Sequence, residues 1–480
     1  MSAAGQIGAE AGALSHPGSE DRLDVEGREL LRQPAQDHLD LRAVRERRVE
    51  VIGADGVRRG RVETGHAREL ATIFGQVEVS RIAYRARGQV NLHPADGVLN
   101  LPAEKHSHGL RRLAAIEATR GSFDGAVAAV ERATGQRLGK RQVEDLAGRA
   151  AVDIDAFYAG RRPAAGEGDD VLVLSCDGKG VVMRPDALRP ATRAQAAKTT
   201  TKLATRLSKG EKRNRKRMAE VGAVYDAAPA PRGPTDILPA TEQQRRDAAP
   251  GPAARNKWLV ASVVDDAASV VGQIFDEAER RDPDHARTWV ALVDGNNHQI
   301  DRIQAEAKTR AATTAIVTDL IHVLEYLWKA AWSFHPEGDP AAEAWVRRHA
   351  TTILEGRATR VAGAIRRAAT NAGLDPPRRA GADACAAHPT NKRAHLDYPT
   401  APERGRPTAT GVIEGACRHP VKDRTDLTGA RWGLRGAEAV LKLRAIHSGD
   451  VDAYWRYRLA QERQRIHQSR YADNGIPQAA

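Results

Sequence analysis

Five short apolar segments between residues 171 and 318 constrain the fold more than any other feature of the sequence. Their composition and length are typical of buried strands. In chain order they are VLVLSC (171–176), VGAVYD (221–226), KWLVASVV (257–264), TWVALV (288–293) and TAIVT (314–318). The segment SVVGQIFDEAERR has the spacing of an amphipathic helix and lies among them. Strands mixed with helices in this way predict an α+β or α/β domain with a mixed sheet.

The rest of the chain shows patterns of two kinds. Residues 49–88 alternate apolar and polar side chains and predict short antiparallel strands. Residues 106–160 have helical spacing interrupted by glycines, which is typical of a helix-turn-helix array or of an ordinary helical subdomain. A long helical region begins at DLIHVLEYLWKAAW, and 375–410, rich in Pro, Gly, Arg and Thr, is expected to be a loop.

These patterns predict a division of the chain into parts. The expected parts are a flexible leader at 1–40, a strand hairpin and helix-turn-helix-like DNA-binding region at 41–165, a sheet core at 166–320 and 408–450, a helical insertion and loop at 321–407, and a C-terminal helix and tail at 451–480.

The charge balance favours a polyanionic partner. Lys and Arg number 74 against 62 Asp and Glu, which gives a net charge of +12. Nucleic acid is the simplest partner for such a chain, although genomic base composition can also enrich arginine. Residues 189–218 hold eleven Lys or Arg and the single acid Glu211. Such a run is either a solvated face or a surface that binds a phosphate backbone.

Cysteine use and hydropathy indicate the compartment. Cys176, Cys385 and Cys417 show no C-x-x-C spacing, so neither a disulfide framework nor a structural zinc site is expected. The N-terminal residues lack the pattern of a signal peptide, and no run approaches the ~18 apolar residues of a membrane span. We therefore expect a cytoplasmic protein without a membrane partner.

Three acidic residues form the main candidate site. Asp177 and Asp294 each follow an apolar segment and precede glycine, and Glu414 begins a later helix. Two-metal phosphoryl transfer needs carboxylates that converge from separate elements, and Mg²⁺ prefers such oxygen ligands. An RNase H-like sheet supplies them in this order, from its first strand, its fourth strand and a late helix. The alternatives are ordinary Asp-Gly turns and a first-turn helix acid.

Asp319 competes with Asp294 for the second position. It also follows an apolar segment, TAIVT. Its alternative role is the N-cap of the helix that begins at Leu320, and that interpretation is favoured.

Several basic residues are candidates for contacts with DNA. Lys422 and Arg424 follow Glu414 closely and either hold phosphates near the metals or form a solvated basic face. The candidates in the N-terminal helices are Arg111, Arg112, Arg120, Lys140 and Arg141.

Several long segments resemble one known family. LSCDGKGVVMRP, ALVDGNNHQI, IVTDLIHVLEYLWKAAWSFH and TATGVIEGACRHPVKDR resemble the ISKra family of bacterial insertion-sequence transposases, DDE-type enzymes of the mutator-like group. ETGHARELATIFGQVEVSRIAYRARG and LNLPAEKHSHGLRRLAAIEA in the N-terminal part resemble it as well. The resemblance extends over residues 45–475.

The resemblance implies an RNase H-like core with a helical insertion and an N-terminal DNA-binding part. It implies metal-dependent cleavage and strand transfer at the ends of an insertion sequence, with two Mg²⁺ or Mn²⁺ ions held by Asp177, Asp294 and Glu414. Mutator-type patterns place the second Asp in a strand-Asp-Gly motif followed by a segment with a histidine, which Asp294 and His322 match.

The expected partners are the terminal inverted repeats and target DNA, both double-stranded. A homo-oligomer on DNA, associated with the nucleoid, is expected. The rival hypotheses are an RNase H-like nuclease without strand transfer and a domesticated DNA-binding protein.

Overall fold

A computed structural model describes residues 15–163, 166, 168–198, 210–427 and 429–478. The chain divides into two compact units. The first contains the residues up to Gly160 together with those from Asp450 onward, and the second contains Arg161–Gly449.

The helices and strands are, in chain order, α1 (His16–Arg45), β1 (Arg61–Thr72), β2 (Gly75–Arg85), α2 (Pro94–Val98), α3 (His108–Arg120), α4 (Phe123–Thr134), α5 (Lys140–Ala150), α6 (Ile154–Gly160), β3 (Val171–Val182), α7 (Pro190–Ala197), β4 (Lys216–Ala227), α8 (Pro234–Ile237), α9 (Glu242–Asp247), β5 (Ala254–Ser262), α10 (Ala267–Arg281), β6 (Trp289–Val293), α11 (Asn297–Thr309), β7 (Thr314–Thr318), α12 (Leu320–Phe334), α13 (Pro340–Leu354), α14 (Ala358–Asn371), α15 (Pro376–Asn391), α16 (Thr400–Glu403), α17 (Gly411–Ala416), α18 (Asp423–Thr425), α19 (Leu434–His447) and α20 (Val451–Ile466). A π-helical turn, Cys417–Lys422, joins α17 to α18.

The second unit is built on a mixed sheet, and the chain is therefore an α+β protein. Within its described residues the sheet has five strands in the order β5-β4-β3-β6-β7. β3, β4 and β5 pair antiparallel, whereas β6 and β7 run parallel to β3. The five apolar segments of the sequence all form strands of this sheet, and β3 lies at its centre.

Helices cover both faces of this sheet. Val173, Leu292 and Val317 point to the face covered by α12–α15 and belong to one buried apolar cluster. On the other face α10 approaches β4 at Gly222, where a Cβ atom would lie 2.8 Å from the Ile274 side chain. Glycine at this position therefore lets α10 pack closely against the sheet.

β3 is longer than its sequence predicts. The Asp177-Gly178 pair was expected to end the strand, but this expectation is wrong because β3 continues to Val182. The reason is the partner strand, since β4 pairs with β3 at every position from Val171 to Val182. Asp177 therefore lies inside a central strand, opposite Val221.

The region 375–410 was expected to be a loop, and this expectation is wrong for its first half, which forms the helix α15. Asp375 accepts a hydrogen bond from the Arg378 N–H and so caps α15. A Cβ at Gly381 would lie 2.3 Å from the Lys329 carbonyl oxygen, which shows how closely α15 approaches α12. Ala, Gly and Cys form this contact, and such small residues leave a weak hydrophobic period in the sequence.

The first unit combines a strand hairpin with helices. β1 and β2 pair antiparallel, as the alternating pattern predicts. The glycine-punctuated region forms α3, α4 and α5, which pack on one another. Gly135 ends α4 in the left-handed conformation with φ 68°, which glycine adopts without strain.

The expected leader at 1–40 differs from the structure where the structure describes it. Residues 1–14 lie outside the described residues, and α1 occupies the rest. Ser15 caps α1, and ion pairs such as Arg22–Glu26 support it. Gln36 exchanges two hydrogen bonds with the backbone of Glu78 on β2. Because α1 buries no residue, its sequence shows no apolar period.

The C-terminal segment, expected to be a separate helix and tail at 451–480, belongs to the first unit. Tyr454 of α20 is fully buried and donates a hydrogen bond to the Ala150 carbonyl of α5. Glu462 accepts from Arg111 of α3 at 2.5 Å. Among the described residues, no helix has both the length and the apolar character needed to cross a membrane.

Candidate active site

The strand register brings three aspartates into one row. Leu292 of β6 pairs with Ser175 of β3. Asp294 and Asp177 each come two residues later in the chain, so the register makes them level with each other. The Asp319 N–H donates to the Val293 carbonyl at 2.8 Å, which continues the pairing of β6 with β7. Since side chains alternate along a strand, all three aspartates follow residues of the α12-facing side.

Asp177 is held by two hydrogen bonds from different parts of the chain. Its Oδ1 accepts from the Gly178 N–H at 2.7 Å, and its Oδ2 accepts from the Cys417 thiol at 3.1 Å. The side chain is half-buried. The carboxylate is thus accessible, although both of its oxygens already have a protein donor.

Asp294 lies in the turn that its sequence predicts, directly after β6. Its Oδ1 accepts from the Asn296 N–H at 2.8 Å, and Gly295 adopts a φ of 93°. The residue is half-buried. Burial is the largest cause that raises the pKa of the Cys176 thiol, and the charges of Asp177 and Asp294 raise it further, to about 12. The two carboxylates therefore lie near the same side chain.

Glu414 is the exposed acid on α17. Partial burial raises its pKa, and the charges of Asp177 and Asp319 raise it further. His322 and Lys179 act in the opposite direction on the same pKa. The helix thus places a third carboxylate within electrostatic range of Asp177, and the negative charges disfavour one another.

Asp319 occupies a different environment from Asp294. It is 1% exposed and caps α12 by accepting from the Ile321 N–H at 3.0 Å. Its Oδ2 also accepts from the Thr410 hydroxyl at 2.5 Å and lies 2.9 Å from His322 Nδ1. The carboxylate of Asp319 therefore both caps α12 and supports His322.

His322 links this support to the rest of the site. Burial acts to lower its pKa, but the hydrogen bond to Asp319 and the charges of Asp319, Asp294 and Glu325 outweigh burial and raise it above 6.5. A histidine in this setting holds its proton more tightly than usual.

The π-helical turn brings Cys417 to Asp177. Pro420 lies within the turn and has no N–H to donate to the carbonyl four residues earlier. A π-helical widening at such a point is a common response to a missing helical hydrogen bond. Cys417 and Val421 are buried in the turn, whereas Lys422 is exposed.

The expected DNA-binding residues separate into exposed and buried groups. Those that are exposed are Lys422, Arg112, Arg120, Lys140 and Arg141. Arg424, in contrast, is 2% exposed, and its guanidinium lies 4.5 Å from the ring centre of Trp432. Arg111 is also buried, and it pairs with Glu462. Burial of Arg111 and Arg424 does not fit the expected contacts with phosphates. The middle of the basic run, 199–209, lies outside the described residues.

Sequence reasoning missed two residues that the fold brings to this site. Cys417 was considered only as a disulfide or zinc-site cysteine, although its position three residues after Glu414 places both on one helical face. Lys179 follows Asp177 by two residues and is exposed on the same face of β3. The available signal was sequence spacing, because residues two apart share a face of a strand and residues three apart share a face of a helix.

The donor chemistry fits divalent cations. Asp177, Asp294 and Glu414 provide the oxygen ligands that Mg²⁺ and Mn²⁺ prefer. Partial burial first, and then the charges of Asp177 and Asp319, raise the pKa of Glu414, and a bound cation would offset these negative charges. Among the described residues, no three His, Cys, Asp or Glu side chains are grouped closely enough to hold a metal ion.

A scan against models of protein families and a search of curated proteins found no match to this chain.

Proposed function

We propose that this chain is a DDE-type DNA transposase of the ISKra family, with an RNase H-like catalytic unit at 161–449. The observation that carries the proposal is the strand register that makes Asp294, directly after β6, level with Asp177 on the adjacent parallel strand β3, with Glu414 in electrostatic range of Asp177. Convergent carboxylates from separate elements are what metal-dependent phosphoryl transfer requires.

The order of the strands supports the RNase H-like part of the proposal. Three antiparallel strands come first in the chain, and two parallel strands then extend the sheet from its first strand. The helices α12–α16 lie in the chain between the last strand and α17, which carries Glu414. In the proposal these helices are the helical insertion that the resemblance implies.

Asp177, Asp294 and Glu414 would hold the two metal ions. When bound, such ions activate the attacking oxygen and stabilise the leaving oxygen of the phosphodiester. Asp319 would support His322 through the contact between its Oδ2 and His322 Nδ1. The exposed Lys179 and Lys422 are suited to holding DNA phosphates beside the carboxylates.

The substrates in this proposal are terminal inverted repeats and target DNA. The net charge of +12 supports a polyanionic partner. In the first unit, Arg112, Arg120, Lys140 and Arg141 are exposed and can contact a duplex. Assembly into a homo-oligomer on DNA in the bacterial cytoplasm is part of the same proposal.

A strand-transfer assay tests the proposal and separates its rivals. A labelled duplex with the terminal repeat is incubated with the protein, Mg²⁺ and a target plasmid. Cut and joined ends are expected, whereas cut ends alone would indicate a nuclease and binding alone a domesticated DNA-binding protein.

The variants Asp177→Asn and Glu414→Gln should bind DNA without cutting it, because they keep the shape of the side chains and lose the metal-binding charge. Glu242→Gln is the control, since Glu242 is an exposed glutamate of α9 outside the site. Cleavage by Asp177→Asn at the wild-type rate would refute the assignment of the active site.

A further inference from the structure

The thiol of Cys417 is a buried polar group beside the site that the proposed chemistry does not use. Cys417 is 2% exposed, and its Sγ lies 3.1 Å from Asp177 Oδ2. These residues are far apart in the sequence, and they meet because the π-helical turn packs against β3. The contact therefore joins the segment that carries Glu414 to the strand that carries Asp177.

The orientation of a lone aspartate on a strand is poorly determined. The terminal torsion of Asp is broad, so the carboxylate plane rotates unless its oxygens have donors. In Asp177 the Gly178 N–H holds Oδ1, and the Cys417 thiol holds Oδ2. A carboxylate can accept about four hydrogen bonds, so these two leave further lone pairs for other ligands.

Helical spacing ties the thiol to Glu414. Glu414 and Cys417 are three residues apart, and such residues lie on one face of a helix. A bond from Cys417 to Asp177 therefore also limits how far the Glu414 backbone can move from Asp177.

We propose that Cys417 is a positioning residue, whose thiol donates a hydrogen bond to Asp177 and fixes both the orientation of that carboxylate and its separation from Glu414. The inference rests on the proposed function, because it gives Asp177 and Glu414 the role of metal ligands. Outer partners of metal-binding carboxylates typically change metal affinity by about 10–100-fold when they are removed.

The chain offers a matched control. Cys385 on α15 is 1% exposed and lies in the apolar cluster with Ala382 and Ala386. Cys385→Ala removes a thiol of equal burial from a site without this carboxylate contact. Cys417→Ser keeps a donor at the position, whereas Cys417→Ala removes it.

The first measurement is infrared spectroscopy of the S–H stretching bands in the full-length protein. The Cys417 band is the one that disappears in Cys417→Ala, and it should shift in Asp177→Asn because an amide accepts more weakly than a carboxylate. The band lost in Cys385→Ala should stay in place. A Cys417 band that is unmoved in Asp177→Asn would overturn the hydrogen bond.

The second measurement is calorimetric titration with Mn²⁺, followed by the Mg²⁺ dependence of cleavage. In folded Cys417→Ala the Mn²⁺ affinity and the half-saturating Mg²⁺ concentration should each worsen by about 10-fold or more. Cys417→Ser should stay close to wild type, and Cys385→Ala should match it. Wild-type metal dependence in folded Cys417→Ala would overturn the positioning role.

The two proposals can fail separately. A wild-type protein that binds Mn²⁺ but never cleaves DNA would refute the proposed function, while the Mn²⁺ affinities of the cysteine variants would still decide the role of Cys417. A wild-type protein that binds no Mn²⁺ would overturn the positioning of a metal ligand together with the assigned site.

Discussion

The replacements Asp294→Asn and Asp319→Asn should have opposite outcomes, although both residues follow parallel strands in one row. Asn keeps the size of the side chain and an oxygen acceptor, so each variant removes mainly a negative charge. At Asp294 the amide oxygen of Asn keeps the acceptor for the Asn296 N–H, and at Asp319 it keeps the cap of α12. The amide NH2 at Asp319 then faces Thr410, whose hydroxyl can rotate to accept from it. We expect Asp294→Asn to lose cleavage and Asp319→Asn to retain most of it.

The alanine variants add a test of stability. Asp319→Ala loses a helix cap, which costs about 0.5–2 kcal/mol. It also leaves the buried Thr410 hydroxyl without its acceptor, at about 1–3 kcal/mol. A total near 3 kcal/mol corresponds to a fall in Tm of about 6–12 °C, taking ~2–4 °C per kcal/mol for a domain of this size.

Asp294→Ala should be much milder, because its half-buried side chain accepts a hydrogen bond from the adjacent turn at Asn296. Its cost should be near the ~0.5 kcal/mol typical of surface changes. The assay combines calorimetric unfolding with Mg²⁺-dependent cleavage of a labelled repeat duplex for all four variants.

A folded, inactive Asp319→Asn beside an active Asp294→Asn would transfer the second metal-ligand role to Asp319. Equal falls in Tm for the two alanine variants would refute the argument from hydrogen bonds.

Three further outcomes follow from the structure. Lys140→Ala and Arg141→Ala in the full-length protein should weaken DNA binding and each lower the salt-dependence slope by about 1, while unchanged slopes would place recognition elsewhere. The raised pKa of His322 stabilises the folded state fully below its unfolded value near 6.5, and this stability is lost as pH rises through the folded pKa. The Tm difference between wild type and His322→Ala should therefore shrink with rising pH, measured by calorimetry, and a growing difference would contradict the sign. Removal of 450–480 should expose the first unit to proteolysis because Glu462 and Tyr454 leave its core, whereas removal of 477–480 should not.

Local patterns in the sequence determined the elements with a strong apolar signal. The five strands of the sheet and the helices α3–α5 were predicted because burial selects apolar residues at regular spacing. The turn after Asp294 was also predicted, since Asp-Gly after a strand is a local signal. The identity of the three candidate acids likewise came from sequence order.

Elements without such a signal escaped prediction. α1 buries no side chain, and α15 packs through Ala, Gly and Cys, so neither shows a clear apolar period. Their helices are stabilised by caps, ion pairs and close backbone contacts, which composition alone does not reveal.

Only the tertiary structure decided how the candidate residues relate in space. The full pairing of β4 with β3 placed Asp177 inside a strand, and the register of β6 made Asp294 level with it. Other tertiary contacts bury Arg424 against Trp432 and join Cys417 to Asp177. Pairing partners and register depend on residues distant in the chain. The local sequence therefore identified each acidic residue but could not predict its position relative to the others.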